Sequence, residues 1–543
     1  MTGETDDGAA RELGRYKAEL LRLRAAAGDL RAEHTRTQRE LERAQEAVAR
    51  LEAELEASQE AYRRLRTRRG VRLALGSARV AASIKGGGRV RAPEPQGAVR
   101  AVSSPAPPTS AVRQRLAAAA AGDRSLISLG VLGEQAAVAA LRAAGWSAAA
   151  VNPREPRHDL DVLLVTDPAL LGPDLPRGPA IVAWAADRSW RAHPWLGLAD
   201  LVMTPAELRA QLDAHRPAVP VDAGALGGAL RDWAAAVQFA VFIGTPDWGQ
   251  ADRWGDTFFG RAIQRALLGR GHPTRVYPRD EHLADHAGRA DVALHVLGLS
   301  VPPPRPEQVN VLWVISHPEL VTPQRCAAYD VVGVASRRFA AALTPRLDIP
   351  VVDLPQATDL EQFRPERGGP PHELLFVGNS RRARRTIVDD LTPTPHDLAV
   401  YGAEWTADLV EPGLVRGEAV PNAELHRHYA AAAIVLNDHW PDMARQGFVS
   451  NRIYDASAAG AFVLSDHVDG IDQLFDGGVV TYRGRADLAA KVERFLTDPA
   501  LRAAHAERAR GAVLARHTFG HRVDRILELV DPVLAEARPA AGA

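Results

Sequence analysis

The segment from Leu436 to Phe475 constrains the fold most, because its pattern is a strand, a polar loop, a helix and a second strand. The apolar run Ala430 to Leu436 is typical of a buried parallel strand. An amphipathic helix is predicted from Asn451 to Ala459, ending at Gly460, and a strand from Ala461 to Ser465. This order is one βαβ unit. Its loop leads into a helix N-terminus, where doubly wound sheets bind phosphate and ribose.

Short apolar strands and helices alternate from residue 125 to residue 530, which predicts an α/β fold with parallel sheets. The passage IVAWAADRSW…ADLVMTPAELRAQL parallels VLWVISHPEL…YDVVGVASRRFAAAL, so we expect two Rossmann-like units, followed by a third. The predicted organisation is a coiled coil at 1–70, a basic segment and flexible linker at 71–124, an accessory Rossmann-like unit at 125–235, a second unit with its linker at 236–365, a third unit at 366–535 and a tail at 536–543.

A 3,4 spacing of apolar residues runs from Leu13 to Leu65 without a proline and predicts a coiled coil. A coiled coil would make the protein a homo-oligomer, with a dimer as the default, whereas a single solvated helix is the alternative. From Arg63 to Arg91 the chain is basic and has no acidic residue. This segment suits a short helix on an anionic membrane surface or, alternatively, a solvated end of the stalk.

Composition excludes several classes of protein. The formal net charge of -1 argues against a nucleic-acid binder that works by global attraction. With one cysteine, Cys326, the chain forms neither an internal disulfide nor a multi-thiolate zinc site. The acidic, polar N-terminus is unlike a secretory signal, and no apolar window is long enough for a membrane span. We therefore expect a cytoplasmic protein, with any membrane contact peripheral, at the inner face.

The motifs LNDHWPDM, GFVSNR and AAGAFVLSD resemble the donor half of GT-B glycosyltransferases, most closely the CgeB-like branch. In that branch the helix opens with an Asn-Arg pair and carries an acidic residue a few positions on. Asn451, Arg452 and Asp455 stand at those positions. In the wider retaining group-1 glycosyltransferases two Glu residues flank this loop. Gln446 stands near the first position and Asp455 at the second, so the chain departs from the pattern at the first acid.

This resemblance implies a GT-B fold, with an acceptor domain at 236–365 and a nucleotide-sugar donor domain at 366–535. It implies a metal-independent, retaining glycosyltransferase of the hexosyltransferase type, with a nucleotide sugar as co-substrate and no cofactor. The acceptor would be a glycan, a lipid-linked molecule or a protein, as in polysaccharide biosynthesis, and not nucleic acid. Two alternatives remain open: an inactive GT-B head on a coiled-coil scaffold, and another GT-B nucleotide-sugar enzyme such as an epimerase.

The stretch LLFVGNSRRARRTIVDDL predicts a strand, a glycine turn and a helix that starts with four arginines. Arginines and helix N–H groups would stabilise a diphosphate whose charge grows during transfer. A solvated basic helix start is the alternative, and the family pattern points to Arg381 and Arg385. The predicted donor-binding residues are Gly378, Asn379, Ser380, Arg381, Arg385, His439, Asn451, Arg452 and Asp455.

On the acceptor side, VLWVISHPEL places His317 after a strand at the carboxyl end of its sheet. We predict a catalytic role for His317, and the alternative is a turn histidine that bonds its own loop. His439 has the same two alternatives, with Asp438 as its expected partner. The loop GTPDWGQADRWGDTFF resembles the acceptor-side loop of the family, although core tryptophans and a helix cap at Asp256 are alternatives. The predicted acceptor-binding residues are Asp247, Trp248, Trp254 and Asp256.

Overall fold

The computed structural model describes residues 127–152, 160–172, 175, 180–184, 196–199, 201–203, 226, 236–366 and 368–537. Parallel sheets organise these residues, which confirms the predicted α/β class. The predicted coiled coil, basic segment and flexible linker, and most of the predicted tail, lie outside the described residues. No helix within the described ranges is long and apolar enough to span a bilayer.

The first sheet has five parallel strands in the order β2-β1-β3-β4-β5. Because the chain between its strands is described only in part, the accessory Rossmann-like unit stays a prediction. The elements are β1 (Ser128–Leu132), α1 (Gln135–Ala143), β2 (Ser147–Ala150), β3 (Val162–Val165), β4 (Ala180–Trp184) and β5 (Leu201–Met203).

The second sheet has six parallel strands in the order β7-β6-β8-β9-β10-β11, so the strand order reverses between β6 and β8. Strands β8 and β9 are buried along their whole length, as expected for a sheet covered on both faces. The elements are β6 (Phe239–Phe242), α2 (Gly255–Leu268), β7 (Thr274–Tyr277), β8 (Val292–Leu297), β9 (Val309–Val314), α3 (Pro323–Cys326), β10 (Val331–Val334), α4 (Arg337–Leu343) and β11 (Val351–Asp353).

The third sheet has six parallel strands in the order β14-β13-β12-β15-β16-β17, and its order reverses between β12 and β15. The predicted strand over Ala430 to Leu436 is wrong at its start, because Ala430 and Ala431 end a helix. An apolar run alone does not distinguish a helix end from a strand. The elements are β12 (Leu374–Val377), α5 (Thr386–Leu391), β13 (Leu398–Tyr401), β14 (Val415–Gly417), α6 (Asn422–Ala431), β15 (Ile434–Asn437), α7 (Pro441–Gln446), α8 (Asn451–Ala458), β16 (Val463–Asp466), α9 (Ile471–Leu474), β17 (Val480–Tyr482), α10 (Gly484–Thr497), α11 (Pro499–Arg516) and α12 (Phe519–Ala537).

The first and second sheets share one hydrophobic core. The side-chain Nε2 of Gln264 donates to the backbone oxygen of Ala199 in one layer and to that of Thr274 in the other, both at 2.9 Å. Trp248 is 3% exposed, and a Cβ on Gly197 would lie 2.3 Å from its ring. Its indole Nε1 donates to Glu281 at 3.1 Å. Trp248 therefore packs in the core and does not face an acceptor, as one of the two alternatives allowed.

The linker and the last helix connect the second sheet to the third. Nε2 of Gln356 donates to the oxygen of Ile315 at 3.0 Å on one side and to that of Val449 at 3.2 Å on the other. Helix α12 returns to α2, where Phe519 meets Phe259 edge-to-face at 4.7 Å. Two six-stranded parallel sheets joined in this way fit a GT-B fold.

We expect Trp248→Ala to lower the free energy of unfolding by about 3 to 5 kcal/mol, because it opens a cavity between the first two sheets. Urea unfolding followed by circular dichroism measures the loss. Trp254→Ala, at a half-buried position six residues on, is the matched control and should cost clearly less. Equal losses for the two variants would contradict the shared core.

Candidate functional site

A cavity of about 240 Å³ opens beside the point where the strand order of the third sheet reverses. In open α/β sheets, ligands bind at the carboxyl ends of the strands at such a reversal point. The cavity brings together six predicted donor-binding residues and several that were not predicted. Its lining is Gln356, Asn379, Arg381, Arg385, Asp438, His439, Trp440, Met443, Ser450, Asn451 and Arg452.

The loop after β12 is held tightly against the end of β13. A Cβ on Gly378 would lie 2.5 Å from Nη2 of Arg452, so any larger residue there would displace the Arg452 guanidinium. Asn379 accepts a hydrogen bond from the backbone N–H of Ala403 at 2.9 Å. The buried hydroxyl of Ser380 donates to the backbone oxygen of Glu404. The Asn379 carboxamide oxygen and the Ser380 hydroxyl therefore hold the loop in place.

The arginines of this loop precede the helix and do not form its first turn, because α5 begins only at Thr386. Arg381 and Arg382 adopt φ angles of 52° and 56°, in the left-handed region that is costly for residues with a side chain. Arg381 is exposed, lines the cavity and lies 5.3 Å from the centre of the Trp440 ring. Such strain is common at ligand-binding loops and is consistent with a role for Arg381.

Arg385 is buried and already has a carboxylate partner. Its Nε donates to both carboxylate oxygens of Asp438, at 3.0 and 3.2 Å, and its Nη2 donates to the Asp438 backbone oxygen at 3.0 Å. The guanidinium lies 4.4 Å from the Trp440 ring centre and 5.3 Å from that of Phe376. An anionic ligand that binds Arg385 would have to share this arginine with Asp438. Arg381 is therefore the more available of the two arginines.

His439 has both ring nitrogens engaged, and its side chain is 0% exposed. Nε2 accepts the backbone N–H of Ser450 at 2.9 Å, so Nδ1 carries the proton that it donates to Asp466 at 2.6 Å. The expectation that Asp438 is its partner is wrong, because Asp438 pairs with Arg385. His439 therefore positions the loop that leads into α8. Neither of its ring nitrogens is left to bind a nucleotide sugar.

The first residues of α8 face the cavity from the other side. Nη1 of Arg452 donates to Asn437 at 2.7 Å, its guanidinium lies 4.9 Å from the Phe376 ring centre, and burial lowers its pKa. Nδ2 of Asn451 donates to Asp455 at 2.8 Å. The Asn451 Oδ1 atom has no hydrogen-bond partner among the described residues, so it can accept a hydrogen bond from a ligand.

Asp455 lies on the far side of Asn451 and Arg452, where it lines a second cavity of about 370 Å³ and not the first. Its Oδ1 accepts a hydrogen bond from the Thr358 hydroxyl at 2.7 Å, so it fastens the linker to α8. Burial raises the pKa of Asp455 to about 8. A ribose contact for Asp455 remains a prediction, and the structure gives this carboxyl group a linker contact instead of a place beside Arg385.

On the acceptor side, the predicted residues have different surroundings. His317 follows β9 with a φ of 54°, and its Nδ1 lies 2.7 Å from the Glu319 carboxylate. Asp247 caps the 3₁₀ helix Trp248–Arg253 by accepting the N–H of Gln250 at 3.1 Å. Trp254 is half-buried and occupies the N-cap position of α2 without a side-chain capping bond.

Asp256 lies inside the first turn of α2, so it is not the helix cap that one alternative proposed. It accepts the backbone N–H of Gly244, and burial raises its pKa although that bond, His317 and Arg381 lower it. Its Oδ2 would lie 2.5 Å from a Cβ on Gly244 and 2.9 Å from one on Gly298. The two glycines therefore leave the space that this carboxylate occupies.

The sequence analysis missed Trp440, Asp466 and Thr358. Trp440 could have been predicted, because it directly follows His439 in the motif LNDHWPDM. Asp466 and Thr358 carried no local signal, since their contacts join residues that are distant in the chain.

Residues 381–528 match the family described as glycosyl transferase-like. The matched residues include Arg381, Trp440 and Arg452 of the cavity. No curated protein matches the chain.

Solved structures that resemble the chain are distant. Sucrose-phosphate synthase from Thermosynechococcus elongatus is 13% identical, with a TM-score of 0.40 over 55% of this chain and 99% of that one. An alpha-glucosyltransferase in complex with UDP and a 13-mer DNA is 10% identical, with a TM-score of 0.40 over 54% and 99%. T4 phage BGT with UDP-glucose is 11% identical, with a TM-score of 0.37 over 54% and 99%. Likenesses this weak say nothing about substrate.

We expect the contribution of Asp455 to the free energy of unfolding to fall as pH rises from about 4 to about 8, because the folded state keeps a proton on this group that the unfolded state releases. The slope from this group is at most about 1.4 kcal/mol per pH unit. Asp455→Asn should remove that part of the slope, since the amide does not titrate. Urea unfolding between pH 5 and pH 8 measures it, with the exposed Asp252→Asn as control. Identical slopes for wild type and Asp455→Asn would contradict the assignment.

Proposed function

We propose that this protein is a glycosyltransferase that binds a nucleotide-sugar donor at the reversal point of the third sheet. The observation that carries the proposal is the cavity between the ends of β12 and β15, where Arg381, Arg452 and Asn451 converge inside the glycosyl transferase-like residues. Cations and a helix N-terminus are the groups that bind a diphosphate.

Each cavity residue has a distinct part in this proposal. Arg381 is exposed and lines the cavity, so it can pair with the diphosphate directly, whereas Arg385 lines the same cavity and is held by Asp438. Arg452 and the start of α8 face the same space, and Asn451 Oδ1 accepts from a donor hydroxyl. Fixed positive groups stabilise leaving-group charge, which is why we propose transfer without a metal or another cofactor.

The acceptor would enter from the second sheet, past His317 and Asp256. We propose a glycan, a lipid-linked molecule or a protein as acceptor, as in synthesis of a polysaccharide. The net charge of -1 argues against nucleic acid as the acceptor. Because the alpha-glucosyltransferase structure reported above contains DNA, DNA belongs in the panel of acceptors tested.

Retention of anomeric configuration is implied only by the resemblance to the CgeB-like and group-1 enzymes. The alternative to retention is inversion of the anomeric configuration. The proposal of glycosyl transfer does not depend on the stereochemistry, since retention and inversion both move a sugar from the same donor.

Saturation-transfer NMR against UDP-, GDP- and dTDP-sugars tests the proposed function. Binding of one donor with slow hydrolysis supports a transferase. Binding without any turnover supports the inactive scaffold, and conversion of the donor into an isomeric nucleotide sugar supports an epimerase. Absence of binding to every donor would overturn the proposal.

Proposals for the first 124 residues rest on sequence alone. We propose that the coiled coil oligomerises the protein in the cytoplasm and that the basic segment docks at the inner face of the membrane. Light scattering of the full chain tests the first, and a monomeric mass would exclude it. Co-sedimentation with anionic vesicles tests the second, and binding that is insensitive to salt would exclude it.

Arg381→Ala should weaken binding of the nucleoside diphosphate by about 10- to 100-fold, because a charge-assisted hydrogen bond is worth about 1.5 to 3 kcal/mol. Binding of the bare nucleoside should not change. Calorimetric titration with UDP and uridine, or with the GDP or dTDP pair if the panel selects it, measures both. Arg384→Ala is the control, since Arg384 bonds Asp389 at 2.6 Å outside the cavity. Unchanged diphosphate affinity in Arg381→Ala would remove Arg381 from the donor site.

A further inference from the structure

We propose that the acceptor is a phenol, and that its ring binds in the second cavity, of about 370 Å³, between the second and third sheets. Among the acceptor classes named above, a protein supplies such a group through the side chain of tyrosine. The inference rests on the proposed function, since it names the substrate that receives the sugar. It assigns a ligand to a cavity that the donor proposal leaves unassigned.

The second cavity lies between the two halves of the cleft. Gly255 and Phe258, in the first turn of α2, line it from the second sheet. Asn451 and Arg452, in the first turn of α8, line it from the third sheet and also line the donor cavity. The two cavities therefore share a wall, and a hydroxyl at that wall lies next to a donor bound on its other side.

Aromatic rings from four parts of the chain line this cavity. Phe259 of α2 meets Phe519 of α12 edge-to-face, with ring centres 4.7 Å apart. Phe363 of the linker is stacked on Tyr429 of α6 at 6.4 Å. All four side chains are buried and hold one another in place, so the cavity is formed before a ligand arrives. A planar ring suits such walls, because aromatic pairs prefer edge-to-face or offset-stacked contacts.

Several polar groups around the cavity already have partners within the protein. Arg265 of α2 forms an ion pair with Asp359 of the linker. Asp455 accepts hydrogen bonds on both of its carboxyl oxygens. Nε2 of Gln362 donates to the backbone oxygen of Asn422 at 2.5 Å. Because these groups are engaged, a ligand gains most in this cavity by burying an apolar surface.

The volume of the cavity favours a ring over a lipid chain. At about 370 Å³ it is near the lower end of the range of about 300 to 1,000 Å³ for small-molecule sites. A glycan would place several hydroxyls against the rings, and a buried hydroxyl without a partner is unfavourable. The tyrosine side chain combines a ring with one hydroxyl. The pKa of that hydroxyl is about 10, so it gives up its proton more readily than an alcohol does.

The transfer step balances without a further reactant. The phenol oxygen forms a bond to the anomeric carbon of the donor sugar. The bond from that carbon to the diphosphate breaks, and its electron pair leaves with the nucleoside diphosphate. The phenol proton is released to solvent, and the product is an O-glycosyl phenol.

The test uses the full-length protein, the donor selected by the NMR panel, and N-acetyltyrosinamide as the acceptor. N-acetylserinamide is the matched acceptor, because it carries a hydroxyl on the same backbone without a ring. Product formation followed by mass spectrometry should give a kcat/KM about 10- to 100-fold higher for the tyrosine compound. This gain is the one expected when one aromatic side chain leaves water.

Two further compounds separate the sources of that preference. N-acetylphenylalaninamide has the ring and no hydroxyl, so it should inhibit transfer to N-acetyltyrosinamide competitively, whereas N-acetylalaninamide should not. Absence of inhibition would overturn the inference, because the preference would then reflect the acidity of the phenol. Transfer to 4-methylphenol at an equal kcat/KM would support a small phenol as the acceptor, and a lower value would support a protein tyrosine.

Ala423→Trp tests the cavity directly, because it places a large side chain at an exposed position of the lining, on α6. It should raise the KM for N-acetyltyrosinamide by about 10-fold or more and remove most of the preference over N-acetylserinamide. Ala504→Trp is the matched control, since it makes the same change at an exposed alanine of α11 that does not line this cavity. A wild-type KM and preference in Ala423→Trp would overturn the inference.

The comparison of acceptors with wild type needs no variant and decides the inference even if Ala423→Trp does not fold. Equal kcat/KM for the tyrosine and serine compounds, with donor binding and hydrolysis intact, would overturn it and leave the proposed function standing. Preferential transfer to octan-1-ol or to maltose would have the same meaning. If wild type binds no donor, the proposed function fails first and the phenol acceptor fails with it.

Discussion

The buried ion pair of Arg385 and Asp438 holds the donor side of the cleft together. The two residues come from the loop after β12 and the end of β15, the strands between which the sheet order reverses. Their side chains are 7% and 3% exposed, and removing one partner of such a pair costs about 3 to 5 kcal/mol. Trp440 covers the same guanidinium. The charge of Asp438 offsets that of Arg385. The exposed Arg381 therefore contributes more to the binding of an anionic ligand.

The cleft pairs this reversal point with the one in the second sheet. The reversal point of the third sheet is lined by arginines, and that of the second sheet carries Asp256 over two glycines. Linker contacts connect both sides, since Gln356 donates to each sheet's loops and Thr358 donates to Asp455. A nucleotide sugar and its acceptor need this division, because the diphosphate is anionic and the attacking hydroxyl must lose a proton.

The sequence predicted the elements better than their contacts. Alternating apolar runs and glycine stops predicted the parallel α/β class and the helix that begins at Asn451, because both signals are local. Asp438, which pairs with Arg385, lies 53 residues from it, and Thr358 lies 97 residues from Asp455, so no spacing rule finds these two contacts. Trp248 illustrates the same limit. Its loop is rich in groups that suit a sugar, and only the packing against Gly197 shows that the indole fills a core.

Asp455 and Asp256 show why a raised pKa alone does not identify a catalytic acid. Burial raises the pKa of both Asp455 and Asp256. Both oxygens of Asp455 accept hydrogen bonds within the protein, one from Thr358 and one from Asn451. Asp256 is held by the backbone of Gly244, and the charges that act on it come from the cleft. Burial alone therefore does not identify a catalytic carboxylate, because the carboxyl group of Asp455 is closed on both oxygens by contacts that serve the fold.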